Sequence, residues 1–377
     1  MPLTSPERAV LTALRRDPLL PDAALAGAAG LSESELQVAI DRLVQLGQLR
    51  GRGWLLRERD PVVVVGGAVL DRKIQAGQPL VLGSSNPGFS TWGAGGVGRN
   101  IAEGLARLGR QVELIAPVSN DPAGQELLTT TRAAGVGVTH LISSPVATGQ
   151  YIAVLDQDGE LVVGLSDMSA TDTLTVRMVS SRRDVIGQAE LLVIDGNLPT
   201  PVAGWLLDFA GATRIPVVLD PVSVAKARLI AGVLDAERPV LALTPNVDEM
   251  GAMIGSAVAN DPEAIAAAAT WFHDRGVVNL WVHRGADGSV LSTRPADGSA
   301  DTFHLLAAPA AAVVDVTGAG DAMAAGFIHS WLDDGDAVHA AEVGQMVAAL
   351  TVEVPETVRP DLTAALLAER LDDRRLR

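Results

Sequence analysis

The residues best placed to do chemistry lie late in the chain, in Asp315-Val316-Thr317-Gly318-Ala319-Gly320-Asp321. Small residues ahead of the helix-prone run Ala322–Phe327 would let the first backbone N–H groups of a helix converge on one anion. An aspartate at that helix start could take a proton from a hydroxyl while the amides hold a transferring phosphoryl group. The same string also suits a glycine-rich loop with an N-capping aspartate, and alone it leaves both readings open.

Two further strings carry similar ambiguity. Gly95-Gly96-Val97-Gly98-Arg99-Asn100 opens a helical run but lacks the Gly-x-Gly-x-x-Gly spacing of a dinucleotide site, and no strand is expected immediately before it. Close backbone approach to a sugar, with Asn100 bonding hydroxyls, is its functional reading; a helix-start turn is the plain one. In Thr244-Pro245-Asn246-Val247-Asp248-Glu249, Asn246 and Glu249 stand three apart at a helix start. Both could face a hydrated magnesium ion near phosphates, or they could only cap the helix.

These strings need a scaffold, and the chain reads as two parts, 1–59 and 60–377. In the first, Ser5–Arg16 and Asp22–Ala29 are helical, Gly30-Leu31 bends, and Ser32 with Glu35 caps a third helix carrying Leu36, Ile40 and Leu43. Gln48–Leu56 looks like a hairpin, completing a winged helix-turn-helix pattern. DNA is therefore a candidate partner, although Glu33, Glu35 and Asp41 on the third helix oppose phosphate contact and only Arg50 and Arg52 on the wing favour it. From Val62-Val63-Val64-Val65 onward, apolar β-branched runs alternate with helical segments, which predicts a mainly parallel sheet covered on both faces. Two extended, polar-alternating stretches, near 71–92 and 145–165, break the rhythm and suit a small accessory sheet over a site.

Composition narrows the function classes. The 377 residues include no cysteine, which excludes disulfides, thiolate metal sites and a cysteine nucleophile. The six histidines show no metal-ligand spacing, a net charge of −16 opposes bulk nucleic-acid or anionic-membrane binding, and aromatic residues make up only 3%. No run approaches the roughly 18–20 apolar residues of a membrane helix, and charged residues interrupt the first sixteen positions, so a cytoplasmic protein is expected.

The order of the three strings resembles the ribokinase-like (PfkB) carbohydrate kinase family, over roughly Pro61 to Ala368. The resemblance implies a Rossmann-like α/β/α sandwich with a small β-sheet lid, using ATP and Mg2+. It implies Asp321 as catalytic base and the amides of Gly318, Ala319 and Gly320 as anion hole. Asn246 and Glu249 would hold magnesium through water, and Thr317, Gly285 and Gly288 would face the nucleotide. Asp315 matches a position linked to potassium. Asp71 and Asn100 would bind the sugar, beside Gly95, Gly96 and Arg99.

Within the family, Ser84-Ser85-Asn86-Pro87-Gly88, Val97 and Arg99 of the glycine string, Ser166-Asp167-Met168 and Asp220-Pro221-Val222-Ser223 resemble the pseudouridine kinase branch. Ser85, Asn86, Thr148, Tyr151 and Asp167 would then meet the base. Val69 departs from that branch, which carries asparagine there, and His283 replaces a threonine or serine on the nucleotide side. A kinase for another nucleoside or free sugar is the alternative; a DNA-binding regulator that senses such a ligand is the alternative of a different class. An exposed lid sheet would suit a homodimer.

Overall fold

Val62-Val63-Val64-Val65 is buried at every position, so the strand has no solvent face. Its residues divide between two cores: Val62 and Val64 join Leu105, Trp281 and Phe327 on one side of the sheet, Val63 and Val65 join Leu206, Met250 and Phe272 on the other. In this computed structural model, which describes residues 3–49, 60–295, 297–309 and 311–375, the chain divides into two compact units, Met1–Arg59 and Asp60–Arg377.

The larger unit is built on an eight-stranded sheet. From one edge its strands are Thr302–Leu306, Ser289–Thr293, Val277–His283, Val240–Leu243, Val217–Asp220, Leu191–Asp195, Val62–Val65 and Val112–Ile115. The last six are mutually parallel, and the first two add an antiparallel edge. The strand at Thr302–Leu306 escapes the sequence reading because Phe303 and Leu305 are exposed while His304 is only half-buried, so no clean alternation marks it. Helices Val97–Arg107, Ala319–Asp334 and Ala337–Thr351 cover one face, and Thr200–Thr213, Val224–Ala231, Val247–Ile254 and Pro262–His273 cover the other.

A second, four-stranded sheet runs in the order Gly88–Gly95, Val69–Ala76, Gln150–Leu155, Leu161–Asp167. These are the two stretches expected to form an accessory sheet. One expectation is corrected: strand Gly88–Gly95 leads directly into the Gly96 turn and the helix at Val97, so a strand does precede the glycine string. It belongs to the lid and not to the central sheet, which is why the βαβ pattern of a dinucleotide fold is absent there.

In the smaller unit, helices Ser5–Arg16, Asp22–Ala29 and Glu33–Gln45 close around Val10, Leu14, Leu25, Leu36 and Leu43. Buried Glu7 bonds the Thr4 amide at 2.7 Å and pairs with Arg42 at 2.9 Å, and Glu35 is spent on the capping box with Ser32. The hairpin expected at Gln48–Leu56 lies outside the described residues from Arg50 onward.

Asp195 joins the central sheet to the helix at Val97. One carboxylate oxygen accepts the Gly67 amide at 2.8 Å and the Gly98 amide at 3.0 Å, and the other accepts Asn197 at 2.8 Å. Close approach here depends on glycine, since a Cβ at Gly66 would lie 2.5 Å from the Asp195 Cβ. Gly66→Ala is therefore expected to destabilise the larger unit by about 1–3 kcal/mol through overpacking. Urea unfolding of the full chain checks this, and an unchanged midpoint would remove Asp195 from its anchoring role.

Candidate active site

Open parallel sheets place ligands beyond the carboxyl ends of their strands, and a cleft of about 400 Å3 lies there. The strands Leu191–Asp195 and Val217–Asp220 both end in aspartate, and the register sets Asp220 directly beside Asp195. Burial raises the proton affinity of Asp195. Burial, followed by repulsion from Glu249, pushes Asp220 up to about 7. Asp220 accepts the Val222 amide at 2.8 Å and the Thr244 hydroxyl at 3.1 Å. Val222 itself adopts φ +69°, a left-handed conformation costly for a β-branched residue, and lines the cleft.

Asp321 occupies the third position of helix Ala319–Asp334, whose N-cap is Gly318. The capping role therefore falls to glycine, and the aspartate side chain is directed elsewhere. It is buried, and its Oδ2 accepts the Asn100 amide at 2.8 Å. Burial, then the nearby Asp220 carboxylate, raises it well above the ordinary carboxylate range. Asn100 is oriented in turn: its carbonyl oxygen accepts from Arg99 at 3.2 Å, and the buried Arg99 guanidinium pairs with Glu103. Gly318 has φ +81°, and a Cβ there would fall 2.1 Å from the Thr357 carbonyl. The amide of Ala319 donates to Val316 at 3.2 Å. That bond occupies the Ala319 N–H; the other N–H groups of a helix start lack i−4 partners and suit the turn to an anion.

The cleft brings together Asp71, Gly96, Asn100, Tyr151, Asn246, Glu249, Thr317, Gly318, Ala319, Gly320 and Asp321 from lid, sheet edge and helix starts. Asp71 is pushed up to about 6 by burial, against the pull of Arg99 and Lys73. Gly95 stands immediately beside it, where a Cβ would overlap its carboxylate. Several expected positions lie elsewhere. Arg99 bonds Glu103, the Ala94 carbonyl and Asn100, and lines a neighbouring cleft with Asp71. Ser85 is exposed, and Asn86 closes its own turn on Val81 and Ser84. Thr148 is buried on Asp121 and Ser119, and exposed Asp167 caps Ser169. Gly285 and Gly288 bracket a short 3-10 turn beyond the cleft wall.

Asp220, Val222 and His283 also line the cleft, and the residue-type reading did not single them out as site residues. The available signal was the charged residue ending an apolar strand. Burial lowers His283 to about 4, so its imidazole is neutral at physiological pH.

Asn246 and Glu249 form a reciprocal capping box, each side chain accepting the other's amide at 2.9 Å. Burial raises Glu249, which faces the cleft near Asp220. Among the described residues no three His, Asp or Glu groups converge as metal ligands. A hard cation here fits as magnesium held mostly by water and phosphate oxygens. The residues do not fit potassium at Asp315. One of its oxygens accepts from Lys73 Nζ at 2.5 Å, and the other accepts the Thr317 amide at 2.8 Å and hydroxyl at 2.6 Å.

A lid strand, a buried aspartate at a helix start and a glycine-rich turn share one cleft, an arrangement compatible with a phosphotransferase acting on a hydroxyl group. Residues 62–364 match the pfkB family carbohydrate kinases, and the chain belongs to that family. It is 34% identical to the pseudouridine kinase of Escherichia coli (strain K12) over 312 residues, covering 82% of this chain and 96% of that protein. It is 33% identical to an uncharacterized sugar kinase, YeiI, of the same strain, covering 87% and 88%. A ribokinase of Arabidopsis thaliana, solved with ribose and ATP, shares its fold at TM-score 0.72 and 22% identity, covering 83% of this chain and 99% of that one. The chain is thus a sugar or nucleoside kinase of the ribokinase-like fold. Among the described residues no helix is long and apolar enough to cross a membrane.

The buried acids make a stability prediction. Asp220 is raised from 3.8 to about 7 on folding, so the folded state holds an extra proton between those values and loses stability as pH rises through them. Asp220→Asn should therefore raise the melting temperature of the ligand-free protein at pH 8 by about 2–4 °C or more, and change it little at pH 4. Scanning calorimetry at the two pH values checks this; equal shifts at both would exclude the burial of charge as the cause.

Proposed function

We propose that the enzyme transfers the γ-phosphoryl group of ATP to the primary (5′) hydroxyl of a ribosyl substrate, with pseudouridine as the preferred acceptor. The observation that carries this reading is the buried Asp321–Asn100 pair at the helix start, across the cleft from Asp71. Asp71 and Asn100 bind sugar hydroxyls and bring one of them to Asp321. The hydroxyl oxygen attacks the γ-phosphorus, its proton passes to Asp321, and the bond to the β-phosphate oxygen breaks to release ADP. The amides at Gly318 and Gly320 hold the transferring group. Magnesium, when bound, neutralises phosphate charge beside Asn246 and Glu249.

The preference for pseudouridine rests on the 34% identical relative and on the branch-like Ser166-Asp167-Met168 string, of which Ser166 and Met168 line the cleft. With Val69 apolar on the same wall, Tyr151 and Ser166 are left to meet the base edge. The outer face of the lid exposes Trp92, Val163 and Leu165, which suits pairing with a second copy. The first unit suits a helix-turn-helix module used for packing more than for DNA, because Glu33, Glu35 and Asp41 crowd its third helix.

ATP consumption with pseudouridine, uridine, ribose and fructose 6-phosphate tests the substrate. The highest kcat/KM is expected for pseudouridine; a clear preference for ribose or fructose 6-phosphate would replace that assignment. Asp321→Asn should lower kcat by about 10²–10⁴-fold while calorimetric substrate binding stays near wild type. Because Asp321 is raised, kcat/KM should fall with decreasing pH from a point above the usual carboxylate range. Near-normal turnover of Asp321→Asn would rule out the base.

A further inference from the structure

Strand Val69–Ala76 carries Asp71 and Lys73 on one face, two residues apart, so a lid that presents Asp71 to the cleft also presents Lys73 to what lies beyond it. What lies beyond is Asp315, which Lys73 reaches at 2.5 Å across 242 positions of sequence. Both side chains are withdrawn from water, to 33% and 25% exposure. The other oxygen of Asp315 fixes the Thr317 amide and hydroxyl, the residue immediately before Gly318. A single carboxylate thus joins a lid strand to the turn that opens the anion-binding helix.

We propose that the Lys73 ammonium is the resident cation of this turn, standing where a monovalent metal ion would otherwise be needed, and that it ties the turn's geometry to the position of the lid. The inference rests on the kinase reading and goes beyond it. An ammonium is a compact point charge with several donors, close in character to a hydrated potassium ion. The charge balance supports it. Burial opposes ionisation of Asp315, yet the bonds from Lys73 and Thr317 hold it below the ordinary carboxylate range. With both carboxylate oxygens engaged, a metal ion at Asp315 would have to compete with the Lys73 charge. The difference from a metal is mechanical. A diffusible ion organises the turn whether the lid is open or shut, whereas a tethered ammonium does so only while strand Val69–Ala76 is seated. Lys73 is then a positioning residue that makes the anion turn complete when the sugar side is covered.

The test compares the full-length protein and Lys73→Met in choline chloride and potassium chloride at equal ionic strength. It reads both ATP turnover on the best acceptor and the substrate-free melting temperature. Wild type should give the same turnover and melting temperature in the two salts. Lys73→Met should lose about tenfold or more in kcat in choline, recover part of it in potassium, and melt higher in potassium than in choline. Lys73→Arg, which keeps the charge, should stay insensitive to potassium. Wild-type turnover that rises severalfold with potassium would overturn the proposal, and that measurement needs no variant. So would a Lys73→Met protein with undiminished turnover in choline, or one that potassium does not rescue. The melting comparison requires no acceptor, so a wrong substrate assignment and a wrong role for Lys73 give different results.

Discussion

Negative charge buried at one edge of a sheet is the constraint on which this enzyme is built. Asp71, Asp220, Glu249 and Asp321 line one cleft, with Asp195 buried beside Asp220, and burial is the largest cause raising each of them. Such a cluster is expensive to ionise in an empty protein. A divalent cation bound there would offset that cost. Burial, and after it the Asp220 carboxylate, raises Asp321, the direction that the proposed base for an alcohol needs. Stability is given up where the chemistry requires it, as strained or desolvated sites generally do.

The remaining architecture keeps those carboxylates in place. Asp195 spends its oxygens on the Gly67, Gly98 and Asn197 amides and thereby sets where the helix bearing Asn100 begins. Arg99, buried against Glu103, fixes the Asn100 amide so that its NH2 group faces Asp321. The lid closes the other side through Asp71 and, farther out, through Lys73 on Asp315. Three supports, from the sheet, a helix and the lid, therefore converge on Asp321 and the turn at Gly318. Each comes from a different part of the chain, which explains why single strings looked ambiguous alone.

Much of this was legible in the order of residues. Apolar β-branched runs announced the buried strands, because a strand covered on both faces has no place for polar alternation. The small residues before Asp321 announced a helix start open to an anion, and Asn246 with Glu249 announced a capped helix beside it. Arg99, Thr148 and Asp167 were harder, since a polar residue near a site in sequence can be turned into the packing. Arg99 satisfies buried Glu103, buried Thr148 bonds Asp121, and Asp167 closes a local turn. Of the two antiparallel edge strands, Thr302–Leu306 lacked a clear pattern because it is mostly exposed.

By itself, the sequence determined the class of fold and the local backbone around Asp321, Asn100 and Asp71. These follow from local backbone needs and from side-chain type. Only the tertiary structure decided that Asp220 lies beside Asp195, that Asn100 holds Asp321, and that Asp315 is already paired with Lys73. Those contacts join residues between 25 and 242 positions apart or depend on strand register. No periodicity records which distant groups share a low-dielectric cleft, and it is that sharing that sets their charge states.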